Sequence, residues 1–125
     1  MDKTALVGLD IDEGRRFLDL LRQSGIPVSA ALWQKEEIPG EWRLLLVTPI
    51  VDELGPRRAY RKLDQVLSQS AEQPAINLLD VSLFTPSASF AKSLRRVFKK
   101  VRNRHVARHP VGDHFLEEGF IYFVN

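Results

Sequence analysis

The chain contains no cysteine among its 125 residues. This excludes disulfide scaffolds, thiolate zinc sites, iron–sulfur clusters and cysteine nucleophiles. Long apolar stretches are also missing. The longest uninterrupted run is residues 120–124, far short of the roughly 20 residues that a helix needs to cross a bilayer. The first residues show no basic segment followed by an apolar core, so we expect a cytoplasmic protein that does not insert in a membrane.

The composition is ordinary for a globular protein, with 44% hydrophobic and 27% charged residues. Low-complexity tracts, internal repeats and Gly/Ser linkers are absent from the sequence, and a chain of this length can bury one core without disulfides or a structural metal. We therefore expect one domain over residues 1–125.

Hydrophobic spacing and turn residues divide the chain into helices and strands. Apolar residues at helical spacing predict helices over residues 11–24, 56–70 and 87–104, and the first of them opens with the capping-box pattern of Asp10 and Glu13. Strand-forming runs predict strands over 28–34, 42–50, 76–84 and 120–124, with residues 4–9 as a weaker candidate for a first strand. The turn residues of 35–40 indicate a β-hairpin between the strands at 28–34 and 42–50.

The predicted order is (β)αββαβαβ, which indicates the α+β class: a mainly antiparallel sheet of four to five strands, with three helices that can cover one face. If residues 4–9 form a strand, residues 4–84 trace a ferredoxin-like βαββαβ core. Residues 44–47 and 120–123 are apolar at every position, whereas a strand with one solvated face alternates. Something must cover the second face, and the candidates are a second copy of the chain, a protein partner and the last helix.

Two segments carry a resemblance to known sequences: AALW at residues 30–33 and EWRLLLVTPIVDELGPRRAY at residues 41–60. They resemble a family of small uncharacterised bacterial proteins with no assigned function. The resemblance extends over about residues 11–85 and implies no activity, cofactor or site residue for this chain.

Positive charge is concentrated outside that region. The formal net charge is only +2, but residues 92–109 carry eight basic side chains and no acidic one. On the predicted helix 87–104, the face opposite the apolar stripe carries Lys92, Arg95, Arg96, Lys99, Lys100, Arg102 and Arg104. Such a face binds nucleic-acid phosphates by releasing counterions, without reading the base sequence. The alternative is a solvated helix face, or one paired with acids elsewhere in the chain or in a partner.

A second candidate anion site lies at Arg57 and Arg58, near the start of the predicted helix 56–70. The free N–H groups of a helix N-terminus favour an anion, and the arginines would strengthen the attraction. In the alternative interpretation, the preceding Asp52 and Glu53 neutralise the two arginines.

Patterns for metal binding and catalysis are weak. His105, His109 and His114 lie close together in sequence, but no carboxylate at helical spacing completes a ligand set, so we predict no metal ion and no cofactor. Gly-rich phosphate loops, nucleophile elbows and His-Glu-x-x-His motifs are absent from the sequence. The sequence thus favours a non-enzymatic protein that contacts a nucleic-acid backbone, and the alternative is an interaction module that self-associates or docks a protein partner through its apolar sheet.

Overall fold

Helices and strands make up most of the structure, a computed structural model that describes residue 6, residues 8–36 and residues 41–125. In chain order the elements are α1 (Gly8–Gln23), β1 (Ala30–Lys35), β2 (Trp42–Val47), α2 (Ile50–Leu54), α3 (Pro56–Gln69), β3 (Val81–Phe84), α4 (Ser89–Phe98), β4 (Arg102–Val111) and β5 (His114–Val124). None of the helices in these residues is long and apolar enough to span a membrane.

The first half of the chain follows the predicted pattern except after Val47, where the predicted strand 42–50 ends early and Ile50 begins the unpredicted helix α2. α1 and α3 match two predicted helices, and β1 and β2 form the predicted hairpin, with Ala30 opposite Val47 and Lys35 opposite Trp42. α1 begins at Gly8, so the capping-box pattern lies inside the helix and was wrong as its start. Of the proposed first strand, residues 8 and 9 are helical, whereas residues 4, 5 and 7 lie outside the described residues. Residues 37–40 of the hairpin loop also lie outside them.

The strands form one mixed sheet in the order β3-β2-β1-β5-β4. β1 pairs antiparallel with both β2 and β5, β5 pairs antiparallel with β4, and β2 pairs in parallel with β3. In a ferredoxin-like core, a first strand would lie between the two strands that correspond to β2 and β3. Because β2 and β3 pair directly with each other, the structure excludes this core. The described residues are thus α+β with the order αββααβαββ, and they contain four helices instead of the predicted three.

The predicted strand 76–84 is shorter in the structure. The side chain of Asn77 accepts a hydrogen bond from the backbone N–H of Leu79 and starts a 3₁₀ turn over Leu78–Asp80. Such local side-chain bonding competes with strand pairing. Only Val81–Phe84 therefore pairs with β2.

Helices cover both faces of the sheet, which corrects the expectation that they cover one. α1 and α3 bury Phe17, Leu21 and Leu63 against the face that carries Trp33 and Leu44. On the opposite face, α4 packs Phe90, Leu94 and Phe98 against Leu32, Leu45 and Ile121. Of the three candidates for covering the second apolar face, the structure shows the last helix.

The largest error of sequence reasoning concerns the predicted helix 87–104. The helix ends at Phe98, and the chain then turns into the ten-residue strand β4. Lys100 adopts a left-handed conformation with φ 69°, and its N–H donates to the carbonyl oxygen of Val124, which ties the turn to β5. Sheet pairing thus overrides the helical spacing that continues to Val101, and the basic residues lie on three elements instead of one helix face.

Candidate nucleic-acid interface

The basic residues predicted for the last helix lie on one continuous stretch of chain and are all exposed. We call residues 92–108 the basic segment. Its cations are Lys92, Arg95 and Arg96 on α4, Lys99 and Lys100 in the turn, and Arg102, Arg104 and Arg108 on β4, all of them exposed. Among the described strands, β4 lies at an edge of the sheet and pairs only with β5. The segment therefore presents charge from a helix, a turn and a sheet edge that follow each other directly.

No cation of the basic segment forms an ion pair within the part of the chain that the structure describes. The ion pairs found there join Arg16 to Glu13 at 2.7 Å, Arg22 to Asp19 at 3.3 Å and Arg43 to Glu36 at 3.6 Å. Arg16 also lies 3.9 Å from Glu72. The alternative in which acids elsewhere in the chain pair with the basic residues therefore has no support among the described residues.

The acidic residues of β5 lie nearer to the turn of the β4–β5 hairpin than Arg102 and Arg104 do. Glu118 is opposite Ala107, whereas Arg102 and Arg104 are opposite Phe123 and Ile121. The hairpin turns at Gly112 and Asp113, and Gly112 has φ 61°, which suits the first position of a two-residue turn. Positive charge is thus concentrated near the start of β4.

Arg57 and Arg58 lie apart from the basic segment. They occupy the first turn of α3, which packs on the opposite face of the sheet from α4. Neither Asp52 nor Glu53 lies within ion-pair distance of them among the described residues, and Asp52 instead accepts a hydrogen bond from the Thr85 hydroxyl. The structure does not join the two predicted anion sites into one surface.

A cleft of about 930 Å³ adjoins the basic segment and was missed by sequence reasoning. It lies where α1, the loop before β1, the start of β4 and the end of β5 meet. Its charged and amide side chains are Arg15, Asp19, Arg22, Arg95, Arg102, Asn103 and Asn125. Nothing in the spacing of the predicted helix 11–24 indicates that Arg15 and Arg22 line one cleft with Arg102.

Two arginines of the cleft are held by neutral groups. Arg15 lies over the ring of Tyr122, 5.3 Å from its centroid, and donates to the Asn103 side-chain oxygen at 2.6 Å. Arg102 lies over the ring of Phe123 at 5.9 Å and donates to the Asn125 side-chain oxygen at 3.2 Å. Rings and amide oxygens orient a guanidinium without neutralising it, so both charges remain available to an anion.

A β-bulge places the two rings side by side. Ala31 pairs with Phe123 and Leu32 with Ile121, so Tyr122 is the additional residue of β5. The bulge lets consecutive aromatic residues pack on the same side of the sheet, because it interrupts the alternation of side chains. Each ring then carries one arginine of the cleft.

Tyr122 also fixes the position of α1. Its hydroxyl donates to the carbonyl oxygen of Ile11 at 2.6 Å and accepts from the Trp33 indole N–H at 2.8 Å. α1 approaches so closely that a Cβ on Gly14 would lie 2.1 Å from the phenol oxygen. Burial raises the pKa of Tyr122 to about 12, against the opposing effects of the Trp33 hydrogen bond and the Arg15 charge. The phenol therefore stays protonated at neutral pH and serves as an anchor beneath Arg15.

Comparisons with protein-family models, curated proteins and solved structures found no match for the chain. Function is therefore inferred from the charge and geometry of its own residues.

The three histidines contact different aromatic rings. His105 packs on Phe120, His109 on Phe98 and His114 on Phe90, with ring centroids 4.8 to 4.9 Å apart. Phe120 belongs to the core under α1 and α3, whereas Phe98 and Phe90 belong to α4. No group of three His, Asp or Glu side chains suited to a metal ion occurs in the described ranges.

Proposed function

We propose that the protein is a non-enzymatic binding protein that contacts nucleic-acid phosphates through the basic segment. One observation carries the proposal: eight exposed cations follow each other on α4, the turn and β4, and none has a carboxylate partner among the described residues. A polyanion that meets several such cations releases its condensed counterions, which drives binding.

Two features of the basic segment lower the stability of the folded protein when nothing is bound to it. Like charges at neighbouring positions repel one another, and the basic segment also contains every left-handed non-glycine residue of the described chain: Lys100, Asn103 and Arg108. Such conformations are uncommon for residues with a side chain. Uncompensated charge and local strain in the same segment favour a role in binding over a merely solvated surface.

The proposed interface contacts the backbone of the nucleic acid. Its side chains are mainly Lys and Arg on an exposed surface, and phosphate contacts position a protein without reading sequence. We therefore expect RNA and duplex DNA to bind without preference for one base sequence, and we expect strong dependence on salt.

The alternative function, docking of a protein or of a second copy through an apolar sheet face, has less support. In the described residues α1 and α3 cover one face and α4 covers the other. None of the described strands pairs with the outer edge of β4, but its exposed arginines and Pro110 are residues that protect an edge from strand pairing.

The test compares matched charge reversals in the turn of the basic segment and on α3. Labelled RNA and duplex DNA are titrated with nuclease-treated protein at low and physiological salt, using the wild type, Lys99→Glu/Lys100→Glu and Arg61→Glu/Lys62→Glu. Both pairs are exposed and adjacent in sequence, so both variants change the net charge equally. A third variant, Arg57→Glu/Arg58→Glu, tests the second predicted site.

The wild type should lose at least about tenfold in affinity between the two salt concentrations. The reversal at Lys99 and Lys100 should nearly abolish binding, whereas the reversal at Arg61 and Lys62 should weaken it by no more than about threefold through the change in net charge. Failure to bind either polymer at low salt would refute the proposal. Equal losses in the two matched variants would show that net charge, and not the basic segment, determines binding.

A further inference from the structure

The cleft beside the basic segment has the size and lining of a small-molecule site. Its volume of about 930 Å³ falls within the range of ligand pockets in proteins. Apolar groups form much of its wall, among them Val28, Ala30, Ala91 and Phe123, and arginines lie around them. Such a wall is matched poorly by a bare inorganic ion and well by a ligand that has both an apolar part and a charge.

The charge of the cleft favours an anion. Four arginines and one carboxylate side chain line it, and that side chain, Asp19, pairs with Arg22 at 3.3 Å. Arg15, Arg95 and Arg102 have no ion pair among the described residues. Three guanidinium charges therefore remain uncompensated around one cavity.

Arg15 and Arg102 are already oriented in the free protein. Each lies over an aromatic ring and uses one side-chain N–H to bind an amide oxygen. A guanidinium has five N–H donors in a planar fork, so most of its donors remain free for the oxygens of a phosphate. Because the rings and amides restrict both side chains before binding, less rotamer entropy is lost when an anion arrives.

We infer that the cleft binds a phosphate monoester attached to a flat or apolar group, namely a nucleotide, with the phosphate on Arg15 and Arg102 and the nucleoside against the apolar wall. The nucleotide is either a free monophosphate or the phosphorylated end of a strand. This inference rests on the proposed function, because the cleft opens beside the surface that would hold the polymer and shares Arg102 with it.

The first experiment measures binding of adenosine 5′-monophosphate, adenosine and inorganic phosphate by titration calorimetry. The variant Arg15→Gln/Arg102→Gln removes both phosphate-binding side chains, and Arg16→Gln/Arg61→Gln removes the same charge from outside the cleft. The monophosphate should bind at least about tenfold more tightly than adenosine or phosphate, since only it uses both parts of the cleft. That preference should disappear in the first variant and persist in the second.

Unfolding in urea, followed by the fluorescence of Trp33 and Trp42, confirms that each variant is folded. Absence of monophosphate binding at millimolar concentration in the wild type would overturn the inference. So would binding that is unchanged by Arg15→Gln/Arg102→Gln.

A second experiment identifies the source of the phosphate and separates this inference from the proposed function. Two RNA oligonucleotides of one sequence are compared, one with a 5′-phosphate and one with a 5′-hydroxyl. Tighter binding of the phosphorylated strand, lost in Arg15→Gln/Arg102→Gln, would assign the strand end as ligand. Equal binding of the two strands, together with tight binding of the monophosphate, would assign the free nucleotide.

The variant Lys99→Glu/Lys100→Glu should lose polymer binding and retain most of the monophosphate binding. The cleft and the polymer surface can therefore fail independently. A monophosphate that binds while the polymer does not would leave the cleft assignment intact and refute the proposed function, whereas the reverse result would refute the cleft assignment alone.

Discussion

Arg15 and Arg16 are neighbours on α1, and they lie in two regions of the molecule that balance charge differently. Arg16 pairs with Glu13 at 2.7 Å on the side of α1 that faces residues 72–75. Arg15 lies over Tyr122 and bonds to Asn103, which are both neutral. The region around Arg16 neutralises its cation with a carboxylate of the same chain. The region around Arg15 orients its cation with neutral groups and leaves the charge uncompensated. The second arrangement is the one that we expect where a protein binds an external anion.

The same contrast holds along the chain. Arg22 and Arg43 have carboxylate partners, whereas the basic segment has none among the residues that the structure describes. The amount of positive charge alone would not distinguish a binding surface from a solvated one, since exposed Lys and Arg are common on both. The neutral partners of Arg15 and Arg102 make that distinction.

The largest expected effect on stability comes from changing the contact that positions Arg15. Gly14→Ala places a Cβ 2.1 Å from the Tyr122 phenol oxygen, so α1 or the ring must move. Overpacking of this kind costs about 1–3 kcal/mol, partly offset by roughly 1 kcal/mol from the better helix propensity of alanine. Because an approach of 2.1 Å corresponds to the upper end of that range, we expect a net loss of about 2 kcal/mol in the free energy of unfolding, measured in urea.

Gly8→Ala is the matched control for that change. Nothing lies within 4 Å of a Cβ at Gly8, and as the first residue of α1 it gains less than an interior position from the helix propensity of alanine, so the stability should change by less than about 0.5 kcal/mol. A Gly14→Ala protein as stable as the wild type would contradict the close anchoring of α1 on Tyr122.

Stability and binding should change in opposite directions at Lys100. Its left-handed φ of 69° costs an L-residue roughly 1–2 kcal/mol, and glycine avoids this cost but loses more chain entropy. Lys100→Gly should therefore raise the free energy of unfolding by about 0.5–1 kcal/mol. Nucleic-acid affinity should nevertheless fall, because one phosphate contact is lost.

Lys99→Gly removes the same charge from a residue with φ −52°. This variant should lose affinity to a similar extent and lose stability, since glycine brings no relief of strain there. Equal stability changes in the two glycine variants would show that the conformation of Lys100 is not strained.

The smallest expected effect concerns the ion pair between Glu13 and Arg16 on α1. The hydrogen bond from Arg16, and then the one from the backbone N–H of Ala75, hold the pKa of Glu13 below its usual 4.5. A lowered folded-state pKa stabilises the protein above the unfolded-state pKa, and the contribution disappears as pH falls through the folded value. The stability difference between the wild type and Glu13→Gln should be largest near pH 7 and vanish on strong acidification. A difference that grows as pH falls would contradict this assignment.

Local sequence patterns were sufficient for the elements whose cores are periodic. α1, α3 and the pairing of β1 with β2 match the predictions because apolar spacing and turn residues specify them directly, although β2 ends at Val47, three residues before the predicted end. The same rule failed after Phe98: Val101 continues the helical spacing, but pairing with β5 determines the conformation from Arg102 onward. The Gly112–Asp113 pair was a readable hairpin signal that the helix prediction obscured.

The cleft could not be predicted from the sequence. Arg15, Arg102 and Tyr122 are brought together by the packing of α1 on β5, by a bulge and by the absence of a side chain at Gly14. None of these features appears in the spacing of one element. The basic segment was visible as composition, but its division among α4, a turn and β4 depends on the tertiary fold.

The dependence of RNA affinity on salt distinguishes compensated from uncompensated cations most directly. The slope of log affinity against log salt is measured for three proteins: the wild type, Arg104→Gln in the basic segment, and Arg16→Gln in the ion pair with Glu13. The two variants lose the same charge. We expect a steeply negative slope in the wild type. In Arg104→Gln, the magnitude of the slope should fall by about 0.9 because one phosphate contact is lost, and in Arg16→Gln the slope should not change. Equal slopes in all three proteins, or a wild-type affinity independent of salt, would contradict binding of phosphates by the basic segment.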